Sequence, residues 1–321
     1  MNMTRCGNKL SQPRRQSGAA LLIALLAVVI ASLIATQMIE SSRHSIARTE
    51  ALLNSERAWQ YAHGMNELAL EWIEQAEQDA GFTGLSRLAS WTPPFAVAGG
   101  SVSARLLDLS GRFNLNSLSH PDPERALAAR RALDRLLASL NLDRSLSDEI
   151  QSWVRDQPGE QSGRYTQRNP PYLKAGMPFT HLSELRWLIR FTPETQRRLL
   201  PYVNALPDPQ ARLNINQTNP IVLSAWLEST TVDQAERILS AGPFESLDQV
   251  RALPELSRMD RSLLDQQLSV NSQWFLAQAR VILNGQPQDF FHLIHRGGSG
   301  YDFRYFSQAY EEPGLTASIP P

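Results

Sequence analysis

One uncharged apolar run near the amino terminus constrains this chain more than any other feature. Residues 19–39 read AALLIALLAVVIASLIATQMI, in which Ser32, Thr36 and Gln37 are the only polar members. As an α-helix rising about 1.5 Å per residue, the run spans about 30 Å, which matches the hydrocarbon core of a bilayer. The sequence therefore predicts a single membrane-spanning helix to which the rest of the chain is attached.

The charges on either side of this run predict its orientation. Residues 1–18 contain four basic residues and no acidic one, whereas both signs follow the run. Because positive charge is retained on the cytoplasmic side, we expect residues 1–18 in the cytoplasm and the rest of the chain across the membrane. The formal net charge of −1 predicts no general attraction to nucleic acid. The single cysteine, Cys6, excludes an internal disulfide scaffold and a cysteine zinc site.

Three interpretations of the amino terminus are open: a cleaved secretory signal, a plain signal anchor, and a leader of the pilin type. A secretory signal has an apolar region of about 7–15 residues, which is shorter than this run. The segment Arg14-Arg15-Gln16-Ser17-Gly18, directly before the run, resembles the class III leader of type IV pilins and type II secretion pseudopilins. The resemblance implies that a prepilin peptidase cuts between Gly18 and Ala19, so that the apolar helix stays on the mature chain.

The start of the mature chain departs from most of that family. Its fifth residue is usually a glutamate, thought to neutralise the terminal amine of a neighbouring subunit, and here it is Ile23. Within the family, the missing glutamate is characteristic of the K-type minor pseudopilin of type II secretion, which is also larger than its relatives. Removal of 18 of the 321 residues leaves 303, so this chain is large in the same way.

The order of the remaining segments predicts the fold class. Apolar residues at helical spacing continue to about residue 78, and strand-like segments follow at residues 95–108 and again only after residue 272. The sequence therefore predicts an α+β fold: a long, partly transmembrane helix packed on a small antiparallel, pilin-like sheet, with a large all-α domain inserted between strands. The predicted segments are a leader (1–18), the transmembrane part of the helix (19–39), the amphipathic helix with the first strands (40–111), the inserted α-helical domain (112–268) and the remaining strands with the carboxy-terminal tail (269–321).

The inserted domain contains a short internal repeat. Gly111-Arg-Phe-Asn-Leu-Asn116 and Ala211-Arg-Leu-Asn-Ile-Asn216 share one pattern, and a helical pattern follows each. Asparagine side chains bond the local backbone at turns and helix starts, so we expect these runs to position helices rather than to bind a ligand. K-type pseudopilins have the same order of parts, with an N-L-N run where the insertion begins. The resemblance therefore extends over nearly the whole chain.

K-type pseudopilins can bind calcium at an aspartate-rich stretch after a tryptophan, which corresponds here to Trp153. Such a site needs roughly six to eight oxygen ligands, several of them carboxylates. The resemblance implies aspartates two and four residues after the tryptophan, but Arg155 and Gln157 stand there. Asp156 and Glu160 remain as candidate ligands. The substitutions favour a solvated loop over a calcium site, and no other cofactor is predicted.

An alternative function rests on residues 179–188 and 244–258, which resemble helix-hairpin-helix sequences that bind DNA backbones in other proteins. Such hairpins place glycine where backbone N–H groups approach a phosphate, whereas Leu253-Pro-Glu-Leu-Ser257 has no glycine and one acid. We therefore expect these hairpins to pack rather than to bind nucleic acid. The alternative is a bitopic periplasmic binding protein, anchored in the inner membrane, whose hairpin modules bind DNA or protein.

Catalytic motifs are missing from the sequence, which has no G-x-S-x-G elbow, P-loop, G-x-G-x-x-G or H-E-x-x-H. His292 and His295 are three apart in a predicted strand, hence on opposite faces, which argues against a shared metal. We expect a protein that is not an enzyme.

The resemblance implies a minor pseudopilin at the tip of a periplasmic pseudopilus, which initiates or caps assembly and supports export of folded proteins. The implied location is the bacterial inner membrane, single-pass, with the amino terminus cytoplasmic and the carboxy-terminal domain periplasmic. The implied partners are the I-, J- and H-type minor pseudopilins, the prepilin peptidase, the inner membrane and the secreted substrate, with no nucleic acid among them.

Overall fold

The amino-terminal helix α1 runs without interruption from Ser17 to Glu77 in a computed structural model of the chain. The long helix predicted from the hydrophobic periodicity is therefore confirmed. The chain divides into two compact units, residues 1–57 and residues 58–321, with the boundary inside α1. The structure describes residues 17–77, 88–155, 160–257, 259–297 and 300–309.

In the first unit, the apolar run of α1 is exposed along its described length. Ile23 and Ile39, for example, are 68% and 55% exposed. By length and composition, α1 is apolar enough to cross a membrane. The described part of this unit leaves these side chains uncovered, so their burial falls to lipid or to the helices of other molecules.

The second unit contains the carboxy-terminal part of α1, a sheet, and a domain inserted into that sheet. After α1 the chain forms β1 (Phe95–Val97), β2 (Gly100–Asp108), β3 (Phe113–Asn114), α2 (Pro123–Ser139), α3 (Ser145–Val154), α4 (Glu160–Thr166), α5 (Pro193–Leu199), β4 (Val203–Asn204), β5 (Leu213–Asn214), α6 (Pro220–Trp226), α7 (Val232–Ser240), α8 (Leu247–Arg251), α9 (Arg261–Gln267), β6 (Leu268–Ser269), β7 (Trp274–Leu283), β8 (Gln286–Gly297) and β9 (Gly300–Ala309).

The main sheet has five strands in the order β1-β2-β7-β8-β9, and every neighbouring pair is antiparallel. Gly99 occupies the turn between β1 and β2 with φ +87°, a backbone conformation that glycine adopts without steric cost. Because β2 and β7 are neighbours in space but far apart in sequence, the chain between them is an insertion that leaves and re-enters the sheet at one end. The predicted fold, a pilin-like sheet split in sequence by a helical insertion, is confirmed.

Helix α1 packs on one face of this sheet through small and aliphatic side chains. Ala62 lies against Val102 near the β1–β2 turn, and Ile73 lies against Leu106 and Phe275 near the other end. The complete clusters are Ala58, Ala62, Val102, Ala279, Val281, Leu283 and Phe290, and Ala69, Ile73, Ala76, Leu106, Phe275 and Ile294. The carboxy-terminal end of α1 therefore reaches the end of the sheet from which the inserted domain extends.

The opposite face of the sheet contacts the inserted domain. Leu107, Leu276 and Leu293 from the sheet are buried together with Leu206, which belongs to the insertion. Burial of such aliphatic side chains contributes roughly 1.5–3 kcal/mol each, so this contact fixes the domain to the sheet.

The inserted domain has its own apolar core, but it is not purely helical. Two short parallel pairs, β3 with β4 and β5 with β6, lie within or at the end of residues 112–268. The expectation of an all-α insertion is corrected in this respect. Strands of two residues are too short to show the alternation by which a strand is recognised in a sequence.

Candidate functional site

The junction between sheet and inserted domain is built from two chain crossings that are bonded to each other. The chain leaves the sheet after Asp108 and returns at Trp274. The Leu109 amide donates to the Trp274 carbonyl at 2.9 Å, and Ser110 Oγ accepts from the amides of Gln273 and Trp274 at 3.0 and 3.1 Å. The two crossings therefore form one connection rather than two independent linkers.

A carboxylate lies in the middle of this junction. Asp108 accepts hydrogen bonds from the Ser110 amide at 2.7 Å and from the Ser272 hydroxyl, and Asn214 Nδ2 donates to the same hydroxyl at 2.6 Å. Although part of the residue reaches the surface, removal of water from around the carboxyl raises its pKa from 3.8 to about 6. The hydrogen bonds and the charge of Arg112 oppose that rise without cancelling it.

The first asparagine run begins directly after this junction. Gly111 lies so close to another segment that a Cβ there would come within 2.0 Å of the Gln217 carbonyl oxygen, so only glycine fits. Asn114 Oδ1 accepts from the amides of Asn116 and Leu206 at 3.1 and 3.0 Å. The side chain thus joins the start of the insertion to a segment about ninety residues later.

Asn116 and Asn216 make the same three contacts in the two copies of the repeat. Asn116 accepts from the Phe179 amide at 2.7 Å and donates to the carbonyls of Phe179 and Leu206 at 2.9 and 2.8 Å. Asn216 accepts from the Phe244 amide at 2.8 Å and donates to the carbonyls of Phe244 and Val270, both at 2.9 Å. Each asparagine therefore holds two distant segments together through its side-chain N–H groups and its carbonyl oxygen, which is a structural use.

A polar group also lies between α1 and the sheet. His292 Nδ1 contacts Asn66 Oδ1, and Asn66 Nδ2 lies 3.4 Å from Nδ1 of His63, on which Trp59 stacks at 5.2 Å between ring centroids. Burial and the nearby charge of His63 lower the pKa of His292 from 6.5 to about 4. His292 is therefore neutral at pH 7. His295 lies on the other face, against Trp274, as the strand alternation predicts.

The predicted cleavage residues lie at the amino-terminal end of α1. Gly18 and Ala19 follow Ser17, the first described residue of the helix, and Ile23 is exposed one turn later. Cleavage itself is not visible in a structure of the uncleaved chain and stays a prediction. An exposed Ile23 offers no carboxylate to a neighbouring amine.

The stretch with the candidate calcium ligands lies partly outside the described residues, and two cations lie beside it. Asp156 lies outside the described residues, and Glu160 begins α4. The Arg155 guanidinium donates to the Leu118 carbonyl at 2.9 Å, and Lys174 Nζ lies within 3.3 and 3.2 Å of the carbonyls of Ser152 and Arg155. Among the described residues, two backbone carbonyl oxygens are thus bonded to an ammonium, and Arg155 puts a second cation where the resemblance implies a carboxylate, a donor set that does not suit calcium.

Comparisons with a family model, with related sequences and with a solved structure all match this chain to the K-type component of type II secretion. A family model described as type II secretion system protein K matches residues 111–208, which contain the first copy of the asparagine repeat. Protein K of Pseudomonas aeruginosa is 28% identical, with 89% of this chain and 91% of that protein covered. Protein K of Aeromonas hydrophila is 29% identical, with 84% and 89% covered. GspK in the GspK-GspI-GspJ complex of enterotoxigenic Escherichia coli superposes with a TM-score of 0.68 at 22% identity, over 82% of this chain and all of that chain.

Together, a long apolar helix, an antiparallel sheet and a helical domain bonded into that sheet define a pilin-like subunit with an inserted head domain. The solved complex shows the same fold. Within that class, the resemblance to the K-type minor pseudopilins of type II secretion is confirmed by the family match and by the relatives. The amino-terminal apolar helix fits an inner-membrane anchor for such a component.

Proposed function

We propose that this chain is the tip subunit of a periplasmic pseudopilus in type II secretion, where it starts or caps the fibre and supports export of folded proteins. In this proposal residues 1–18 face the cytoplasm, a prepilin peptidase removes them after Gly18, and the second unit lies in the periplasm. The protein acts through assembly and not through catalysis.

The position of the inserted domain is the observation that carries the proposal. It leaves the sheet between Asp108 and Trp274, at the end that the carboxy terminus of α1 reaches near Ile73. In a fibre whose subunits stack along their amino-terminal helices, a domain at this end occupies the space of the next subunit. A chain of this kind therefore ends a fibre more readily than it continues one.

The other end of the chain supports the same role. A tip subunit has no subunit above it whose terminal amine needs a carboxylate, and Ile23 supplies none. The uncovered apolar side chains of α1 offer a surface for neighbouring pseudopilin helices. The I- and J-type minor pseudopilins are the first partners to test, because GspK of Escherichia coli was solved in a complex with GspI and GspJ. The H-type subunit and the secreted substrate are further proposed partners.

Amino-terminal sequencing of the protein extracted from membranes tests the processing step. We expect a chain that starts at Ala19 in cells with an active prepilin peptidase, and an uncleaved chain when Gly18 is replaced by a bulky residue. Detection of a fully active protein that still carries residues 1–18 would refute the proposal.

Immunogold labelling of fibres assembled from all pseudopilins tests the tip position. We expect one label at one end of each fibre. Ile23→Glu serves as the matched variant, because it restores the usual carboxylate, and it should neither improve secretion nor spread the label. Labelling along the fibre length, by either protein, would show a repeating subunit instead of a tip.

A further inference from the structure

Helix α3 ends at Val154, and the residue that follows does not adopt the left-handed conformation common at helix ends. Its cap residue, Arg155, is extended, with φ −119° and ψ 136°, and the last turn contains no basic residue. The final carbonyl groups of a helix have no partner within the helix and carry partial negative charge. Trp153 and Val154 are buried here, so these carbonyl groups need partners from elsewhere in the protein.

The partners come from one short segment of the chain. The Lys174 ammonium donates to the carbonyls of Ser152 and Arg155 at 3.3 and 3.2 Å, and the Gly176 amide donates to the Trp153 carbonyl at 3.0 Å. Three carbonyl groups at the helix end are therefore bonded by Lys174 and Gly176. A cation at a helix carboxy terminus is also favoured by the helix dipole.

Lysine is rare in this chain, which makes its presence at position 174 notable. The chain has 31 basic residues, of which only Lys9 and Lys174 are lysines and the rest are arginines. An ammonium is a compact point charge with three rotatable donors, whereas a guanidinium is a planar fork suited to a carboxylate. Converging carbonyl oxygens around a compact cation are the arrangement that a hard metal ion also takes.

We infer that the Lys174 ammonium is the structural cation of this part of the inserted domain, in the place of a divalent metal, so that the domain folds independently of calcium. Arg155, at a position where the family resemblance implies an aspartate, is itself used as a donor to the Leu118 carbonyl at 2.9 Å. Both residues remove the requirement for a metal: Lys174 supplies the positive charge, and Arg155 places a second cation where the resemblance implies a calcium ligand.

Thermal unfolding of the full chain in detergent, with millimolar calcium or with excess EDTA, tests the inference without any mutation. We expect the same midpoint in both conditions, and no calcium uptake by calorimetry at micromolar concentrations. A midpoint that falls on adding EDTA, or calcium uptake abolished by Asp156→Ala, would overturn it.

Hydrogen exchange in two variants tests the role of the ammonium. Lys174→Met keeps the aliphatic stem and removes the charge, and we expect the Gly176 amide to exchange roughly ten- to a hundred-fold faster, as for the loss of charge-assisted hydrogen bonds. Arg168→Met is the matched control, because it removes an exposed positive charge from the same segment and should leave this exchange unchanged. Equal exchange in wild type and Lys174→Met would refute the role, and so would equal acceleration by both variants.

Discussion

Replacement of Asp108 by asparagine should stabilise the protein at neutral pH, although it removes a carboxylate that accepts two hydrogen bonds. The folded chain holds this carboxyl with a pKa of about 6, against 3.8 ordinarily, because burial disfavours its charge more than the hydrogen bonds and Arg112 favour it. Asparagine has the same shape without the charge. Its Oδ1 still accepts from the Ser110 amide, which is 2.7 Å from the carboxylate in the wild type.

The magnitude follows from proton linkage. Since its folded pKa is raised, the folded chain binds more protons than the unfolded chain between about pH 4 and 6. The contribution of Asp108 to stability is therefore full below pH 4 and is lost as pH rises through 6. A shift of about 2 pKa units at about 1.36 kcal/mol each gives about 3 kcal/mol, which the partial exposure of the residue reduces to about 2–3 kcal/mol.

Thermal unfolding of wild type and Asp108→Asn between pH 4 and 8 measures this effect. We expect the variant to unfold about 5–10 °C higher at pH 7.5 and to approach the wild type near pH 4. Asp143→Asn is the matched control, because Asp143 accepts from the amide two residues later in the same way but is held at a lowered pKa. It should not gain stability at pH 7.5. If Asp108→Asn proves less stable than the wild type at pH 7.5, or if their difference does not change with pH, the reasoning is wrong.

Two further predictions concern buried polar side chains. Asn116→Ala should lower the free energy of unfolding by about 3 kcal/mol or more, because three hydrogen bonds to Phe179 and Leu206 are lost inside the core. Denaturant titration measures this loss, and a value below about 1 kcal/mol would contradict the prediction. Asn216→Ala should act in the same direction but less, since Asn216 is less buried. Because the pKa of His292 is lowered in the folded chain, the wild type should lose stability as pH falls from 6.5 through 4, and His292→Gln should not show this loss. Both proteins are measured with Asp108→Asn also present, because the carboxyl of Asp108 has the opposite pH dependence. An unchanged pH profile would exclude this role of His292.

Much of the architecture is predictable because its signals are local. The apolar run at residues 19–39, the glycines at the first hairpin and the long interval before the later strands each occupy a continuous stretch of chain. Periodicity within such a stretch reports which face is buried, so helix α1 and the split sheet follow from it. The two-residue strands beside Asn114 and Asn214 do not follow, since two residues carry no period.

The polar sites are different, because their partners are distant in the sequence. The histidine pattern near residue 292 predicts correctly that His295 lies on the opposite face, but the neighbour of His292 is Asn66, which lies 226 residues earlier. Likewise, the sequence shows Arg155 and Gln157 at positions where the resemblance implies aspartates. The ammonium that donates to the carbonyls of Ser152 and Arg155 comes from Lys174, in a segment without a recognisable motif. No pattern within a short stretch of sequence predicts that these residues are neighbours.

The amino-acid sequence alone determined that this chain contains a membrane-length helix near residue 19, that its sheet is interrupted, and that two similar asparagine runs precede helical segments of the insertion. Only the tertiary structure decided that Asp108 meets Ser272 and that Lys174 meets the end of helix α3. The physical reason is range: helices and strands follow from interactions between near neighbours, whereas the pKa of a carboxyl or the partner of an ammonium depends on which distant segments pack around it and exclude water.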